Sequence, residues 1–173
     1  MARISYVERD NAPDDIKAIY DNLEKKFGVV PNVLKAMANS PELFRGFMPF
    51  LAAALGESKV SSGLKELAIL TTTKLNGCNY CTAHHKAAGK RAGLTEDKIN
   101  ATPDPSSPAL DEKEKAVVRF AHEVTKNVSA SEESLNELRK YFDESQIAEL
   151  NMVIGVFNVL TRFADTFKVD LEH

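Results

Sequence analysis

The sequence predicts an all-α fold, an antiparallel helical bundle, and three features carry that expectation. Apolar residues recur at three- and four-residue spacing along most of the chain. Proline, glycine and capping residues punctuate it at the intervals of short helices. No stretch alternates apolar and polar residues between hairpin turns. With 173 residues, the chain can bury a substantial core in one domain.

Taken in order, Pro13 opens an acidic-started amphipathic run (Ile16, Ile19, Tyr20, Leu23, Phe27) that Gly28 closes. Pro31 begins a short helix carrying Val33, Leu34 and Met37. Ser40-Pro41 starts the next, with Ser40 as cap, and it runs through Leu43, Phe44, Phe47, Phe50 and Leu51 to Gly56. That stripe suits a core or an oligomer contact better than a cofactor box. A fourth helix covers residues 62–75 and ends in the turn signal Asn76-Gly77. A fifth runs from Cys78 to Ala92 and stops at Gly93, and Thr95 caps a short segment reaching Ala101. The three prolines of TPDPSSPA, residues 102–109, demand a surface loop inside the domain. Helices over 111–128 and 131–142 follow, then a long one after Asp143, where Asp143 and Gln146 form a capping box.

Composition excludes several classes. Apolar residues make up 43%, charged residues 27%, and the formal net charge is −3 without a basic run. Neither nucleic acid nor an anionic membrane is therefore expected as a partner. The start, MARISYVERD, has no apolar leader core, and the longest apolar stretches are interrupted by Arg, Asn, Thr or Glu before they reach a membrane span. A cytoplasmic protein is expected. Leu171-Glu172-His173 resembles the start of a vector-derived tag, so the domain is expected over 1–170 and His173 is set aside. No glycine-rich phosphate loop occurs, and no cofactor is expected.

The chemistry concentrates in residues 66–94. The only two cysteines, Cys78 and Cys81, are three apart, too close to staple a fold of this size. In a reducing compartment such a pair is redox-active or metal-binding more often than structural. On a helix that starts at Cys78, Cys81 falls about 60° to one side and His85 about 20° to the same side, whereas His84 is rotated about 100° away. The preceding helix carries no charge from Leu67 to Thr73 and is apolar or small around its circumference. It is therefore expected to be buried, and Glu66 at its start needs a partner. Glu66 stands about 14 Å before the Asn76-Gly77 turn and His85 about 10 Å beyond it, so the two meet across an antiparallel hairpin.

This set answers a chemical need. A thiol with a pKa near about 8.5 is mostly protonated at neutral pH, and the thiolate is the nucleophile. A helix N-terminus stabilises the anion, an imidazole accepts the proton, and a carboxylate orients the imidazole. A second cysteine resolves a sulfenic acid into a disulfide. The relay reads Glu66 to His85 to Cys81, with Cys78 resolving. Helix-start geometry favours Cys78 as the more acidic thiol and proximity to His85 favours Cys81. The direct base gives Cys81 the edge as the attacking thiol, with Cys78 left as the alternative.

The pattern E-x11-C-x2-C-x3-H, met here by Glu66, Cys78, Cys81 and His85, resembles the signature of the alkylhydroperoxidase D / carboxymuconolactone decarboxylase superfamily. Segments 29–55 and 144–169 are similar to those flanking the motif in its peroxidase-related branch. The resemblance implies an all-helical homo-oligomer that reduces hydroperoxides with the two cysteines. Its implied reductant is a thiol or dithiol, from a lipoyl-bearing or thioredoxin-like protein. Tyr80 stands where the better-characterised members carry a second histidine, and His84 does not replace it by position.

Other readings remain. A zinc site from Cys78, Cys81, His85 and Glu66 is chemically possible, although structural zinc usually takes two separated ligand pairs, and no metal is expected. A general disulfide oxidoreductase, the decarboxylase chemistry of the superfamily's name, and a non-catalytic metal-binding or redox-sensing module are the alternatives. His84 is expected to be solvent-facing or locally bonded, His122 structural, and Lys86, Lys90 and Arg91 a solvated face.

Overall fold

The computed structural model describes residues 1–172; His173, set aside above, lies outside the described residues. The fold is all-α, as the periodicity requires, and the described residues contain no strand. Nine helices occur among them: α1 Asp14–Phe27, α2 Asn32–Met37, α3 Pro41–Leu55, α4 Ser62–Leu75, α5 Asn79–Arg91, α6 Glu96–Ala101, α7 Glu112–Asn127, α8 Glu132–Arg139 and α9 Glu144–Phe167. The chain forms two compact units, one of Met1–Ala52 with the residues from Phe163 onward, the other of Ala53–Arg162.

In the first unit the amphipathic face of α1 buries Ile16 and Tyr20 completely, and the Tyr20 ring meets Phe44 of α3 edge-on at 6.1 Å. The Tyr20 hydroxyl donates to the Val7 carbonyl, which satisfies the polar end of this buried ring. Gly28 ends α1 in the left-handed conformation with φ +79, where a side chain is strained. The α3 stripe is only partly core. Phe44 and Leu51 are buried, while Leu43 and Phe50 reach solvent, and the helix continues through Pro49. Glu172, read from sequence as tag, accepts a hydrogen bond from the Asn32 N–H at the start of α2.

The second unit is organised around α4, which packs against α5 and α7 and touches α6. Every residue from Lys65 to Thr73 is buried. Thr71 and Thr72 return their hydroxyls to the carbonyls four residues earlier, so an all-round buried helix carries no unpaired hydroxyl there. Ala68 lies in a core with Val117, Phe120 and Ala121 of α7 and Leu150 and Ile154 of α9. Asp111 and Glu114 form a reciprocal capping box on α7, a D-x-x-E signal beyond those singled out in the sequence. The box of Asp143 and Gln146 at the start of α9 is present as expected.

Three expectations need correction. Helix α8 ends at Arg139 because residues 140–142 tighten into a turn, with Tyr141 N–H on the Leu138 carbonyl. The proline-rich loop turns Thr102 inward, since Lys74 donates to the carbonyls of Ile99 and Thr102. Finally, α9 is long and apolar enough by composition to cross a membrane, with a mean hydropathy of 1.3 over its best window. Asn158 and Thr161 do not interrupt it, because their side chains bond to the carbonyls of Ile154 and Phe157 in their own helix. Its buried residues Leu150, Val153, Ile154 and Phe157 give it the character of a core helix.

Candidate active site

The α4–α5 turn builds the site. Asn76 ends α4, Gly77 takes φ +72, and the N–H groups of Gly77 and Cys78 reach back to the carbonyls of Lys74 and Thr73. This is a Schellman closure, which satisfies the last carbonyls of α4 and reverses the chain at once. Cys78, its final residue, is also the N-cap of α5. Its backbone is extended (φ −80, ψ 97), and its Sγ accepts the Cys81 N–H at 3.4 Å.

That geometry corrects the helical-wheel reading, in which Cys78 is the first residue of the helix. An N-cap residue lies off the helical path, so its sulfur reaches its partner through the cap bond instead of through a shared stripe. The α5 N-terminus adds its positive dipole end to the neighbourhood of both sulfurs. Both thiol residues are buried, Cys78 at 1% and Cys81 at 5% exposure.

One turn further on, His85 Nδ1 lies 2.7 Å from Glu66 Oε2 of α4. Both side chains are largely shielded, at 14% and 10% exposure, so the pair is screened far less than a surface ion pair. An ionised carboxylate only accepts hydrogen bonds, so beside an ionised Glu66 a neutral imidazole would carry its proton on Nδ1 and offer Nε2 as the basic nitrogen. Gly89 of α5 leaves room chiefly for the Leu94 side chain. A methyl group there would come within 3.3 Å of Leu94 and 3.5 Å of Leu70. Thr82 adds a hydroxyl bridge to Thr73 of α4 at 3.2 Å.

Thus Glu66 and His85 are in direct contact, as are Cys78 and Cys81. His84 is elsewhere, its ring tilted against that of buried Tyr80 at 4.6 Å, and His122 bonds to the Pro103 carbonyl. Lys86, Lys90 and Arg91 are exposed. Among the described residues no three His, Cys, Asp or Glu side chains gather as a metal site would need.

Sequence reading missed the contribution of α9. Phe157, 2% exposed, sets its ring against that of His85 at 4.5 Å and 83°. Asn158 and Thr161 both accept from the Asn76 side chain at 2.9 Å. No local spacing could have signalled these partners. Lys65, beside Glu66, was also unforeseen. It is buried, donates to the carbonyls of Ala54 and Gly56, and pairs with Glu149 at 2.6 Å. Burial alone would raise the Glu149 carboxyl, but the bonds from Lys65 and Ser58 outweigh it and hold the group below its ordinary value.

Comparison with known proteins supports the fold. Residues 41–123 match the Carboxymuconolactone decarboxylase family. The alkylhydroperoxidase AhpD core of an uncharacterized peroxidase-related protein from Ralstonia eutropha JMP134 superposes with a TM-score of 0.89 at 23% identity, over 99% of this chain and 92% of that one. An uncharacterized peroxidase-related protein from Silicibacter sp. TM1040 gives 0.86 at 25%, over 99% and 92%. The debrominase Bmp8, solved as a cysteine-to-alanine variant in complex with 2,3,4-tribromopyrrole, shares the fold at 0.85 and 21%, over 98% and 91%. The family match thus covers the cysteine hairpin, and over nearly its whole length the chain shares the fold of the alkylhydroperoxidase AhpD core.

Proposed function

We propose that the protein is a thiol-dependent hydroperoxide reductase in which Cys78 and Cys81 cycle between dithiol and disulfide. The observation that carries this reading is the shielded 2.7 Å contact of Glu66 with His85, on the helix whose N-terminus holds both sulfurs. A fixed carboxylate makes the imidazole a better base and stabilises the imidazolium once it forms.

In the first step His85 takes the Cys81 proton, and the thiolate attacks the outer peroxide oxygen. An S–O bond forms, the O–O bond breaks, and the alcohol leaves with the proton returned by His85. Cys78 then attacks the sulfenic sulfur, an S–S bond forms and water departs. The two thiols have supplied two electrons to the peroxide. An external dithiol, carried by a lipoyl or thioredoxin-like protein, returns them by exchange. The cap bond from the Cys81 N–H would favour an anion on Cys78 when it resolves. The protein is further proposed to act as a homo-oligomer, with Met152 and Val159 on the exposed face of α9 as apolar contact residues.

The test is one equivalent of hydroperoxide added to reduced protein, followed by intact mass and thiol titration. The expected result is loss of about two hydrogens' mass, as disulfide chemistry requires, and of both thiols. Unchanged mass with both thiols intact would end this reading. Stoichiometric zinc in the purified protein would favour the metal-binding module instead.

A further inference from the structure

We propose that Phe157 and Asn158 of α9 are positioning residues for the thiol site, Asn158 setting the turn that carries Cys78 and Phe157 setting the plane of the His85 ring. The two neighbours act at opposite ends of the cysteine segment. Asn158 Oδ1 and Thr161 Oγ1 both accept from Asn76 Nδ2 at 2.9 Å, and Thr161 is 1% exposed. Asn76 is the residue from which the Schellman turn departs, two positions before Cys78. Arg162 Nη1 donates to Asn158 Oδ1 at 2.7 Å and to its carbonyl at 2.9 Å, while Asn158 Nδ2 donates to the Ile154 carbonyl. Two bonds, from Arg162 to Oδ1 and from Nδ2 to the Ile154 carbonyl, therefore hold the Asn158 amide in one orientation, and its oxygen is a fixed anchor for Asn76.

The consequence follows from how Cys78 is placed. Its sulfur is useful as a cap only while the backbone at 76–78 keeps the Cys81 N–H on Sγ. The turn contains Gly77, whose φ of +72 is one of several conformations open to glycine; the Schellman bonds hold it from within, and a second restraint on Asn76 from outside narrows it further. Asn158 and Thr161 supply that second restraint from α9. Phe157 acts on the other partner. Its ring stands almost perpendicular to the imidazole at 4.5 Å and blocks rotation that would take Nδ1 off Glu66.

The kinetic arm rests on the hydroperoxide reading; the thiol-reactivity arm does not. The full chain is compared with Asn158→Leu, Asn158→Asp, Thr161→Val, Phe157→Leu and His85→Ala, using hydrogen peroxide turnover, alkylation of each cysteine by iodoacetamide, and melting temperature. Asp keeps the acceptor for Asn76 and Arg162, so it should restore what Leu loses. Asn158→Leu is expected to change the Cys78 alkylation rate about tenfold and to lower kcat by a similar factor, the scale of a small misplacement. Asn158→Asp should return both to within about twofold, and Thr161→Val should fall between. Phe157→Leu should lower kcat while KM for peroxide stays unchanged. Equal alkylation rates in the Asn158→Leu and unaltered proteins would overturn the Asn158 assignment, as would Asp behaving like Leu. If Asn158→Leu does not fold, Thr161→Val and Asn158→Asp decide the point. A slow His85→Ala beside a normal Phe157→Leu would overturn the Phe157 assignment alone. Absence of peroxide turnover in the unaltered protein would sink the hydroperoxide reading and leave the alkylation comparison standing.

Discussion

Glu66 and His85 are nineteen residues apart in the chain and meet at 2.7 Å across the α4–α5 hairpin. The contact joins a carboxylate from a buried helix to the one imidazole that its partner helix turns toward it. If the hydroperoxide reading holds, Glu66→Gln should lower peroxide turnover by about 10²-fold, because the amide loses the charge that supports imidazolium. His85→Ala should lose at least as much. The double variant should be little worse than His85→Ala alone, since the two act as one unit. Stopped-flow peroxide consumption measures all three, and normal turnover in His85→Ala would retire the relay.

The cysteines should separate by product. Cys81→Ser is expected to abolish peroxide consumption. Cys78→Ser should react once and accumulate a sulfenic acid on Cys81, detected by dimedone adduct mass. The opposite pattern would exchange the roles, as the sulfur cap at Cys78 would then favour.

Lys65 should matter for stability. Its ammonium, almost wholly buried, closes the Ala54 and Gly56 carbonyls and pairs with Glu149. Lys65→Met leaves these acceptors without their donor, and a loss of about 2–4 kcal/mol in chemical denaturation is expected, below the deepest buried pairs because Glu149 is partly solvated. The Glu149 carboxyl is lowered in the folded state. Its contribution is therefore complete above its unfolded value near 4.5 and lost as pH falls through the lower folded value. Glu149→Gln should flatten that acid limb of the stability curve.

Tyr20 gives a signature at the alkaline end. Burial, aided by nearby Glu8, pushes its phenol up to about 12. A raised folded value means the contribution is complete below 10 and is lost as pH rises toward 12. Ultraviolet titration should show a late phenolate step that disappears in Tyr20→Phe. An unchanged titration in that variant would refute the assignment.

Much of the fold was legible because its signals are local. Pro13 and Gly28 bracket α1, Thr95 caps α6, and Asp143 with Gln146 cap α9, each through bonds made within one turn of chain. The burial of α4 could be read from its uncharged circumference. The meeting of Glu66 with His85 followed from counting rise per residue on either side of a glycine turn. Cys78 lies one residue outside the helix expected to begin with it, since a side chain can cap a helix only from outside the helical path.

By itself, then, the sequence determined the helical class, the hairpin and the carboxylate–imidazole register, since each depends on residues within a few turns of one another. Tertiary structure alone decided what surrounds them: the Phe157 ring on His85, the Asn158 and Thr161 anchors on Asn76, and the Lys65 bond to Glu149. Those partners arrive from α9 by packing of its apolar face, a non-directional force that leaves no trace in local spacing.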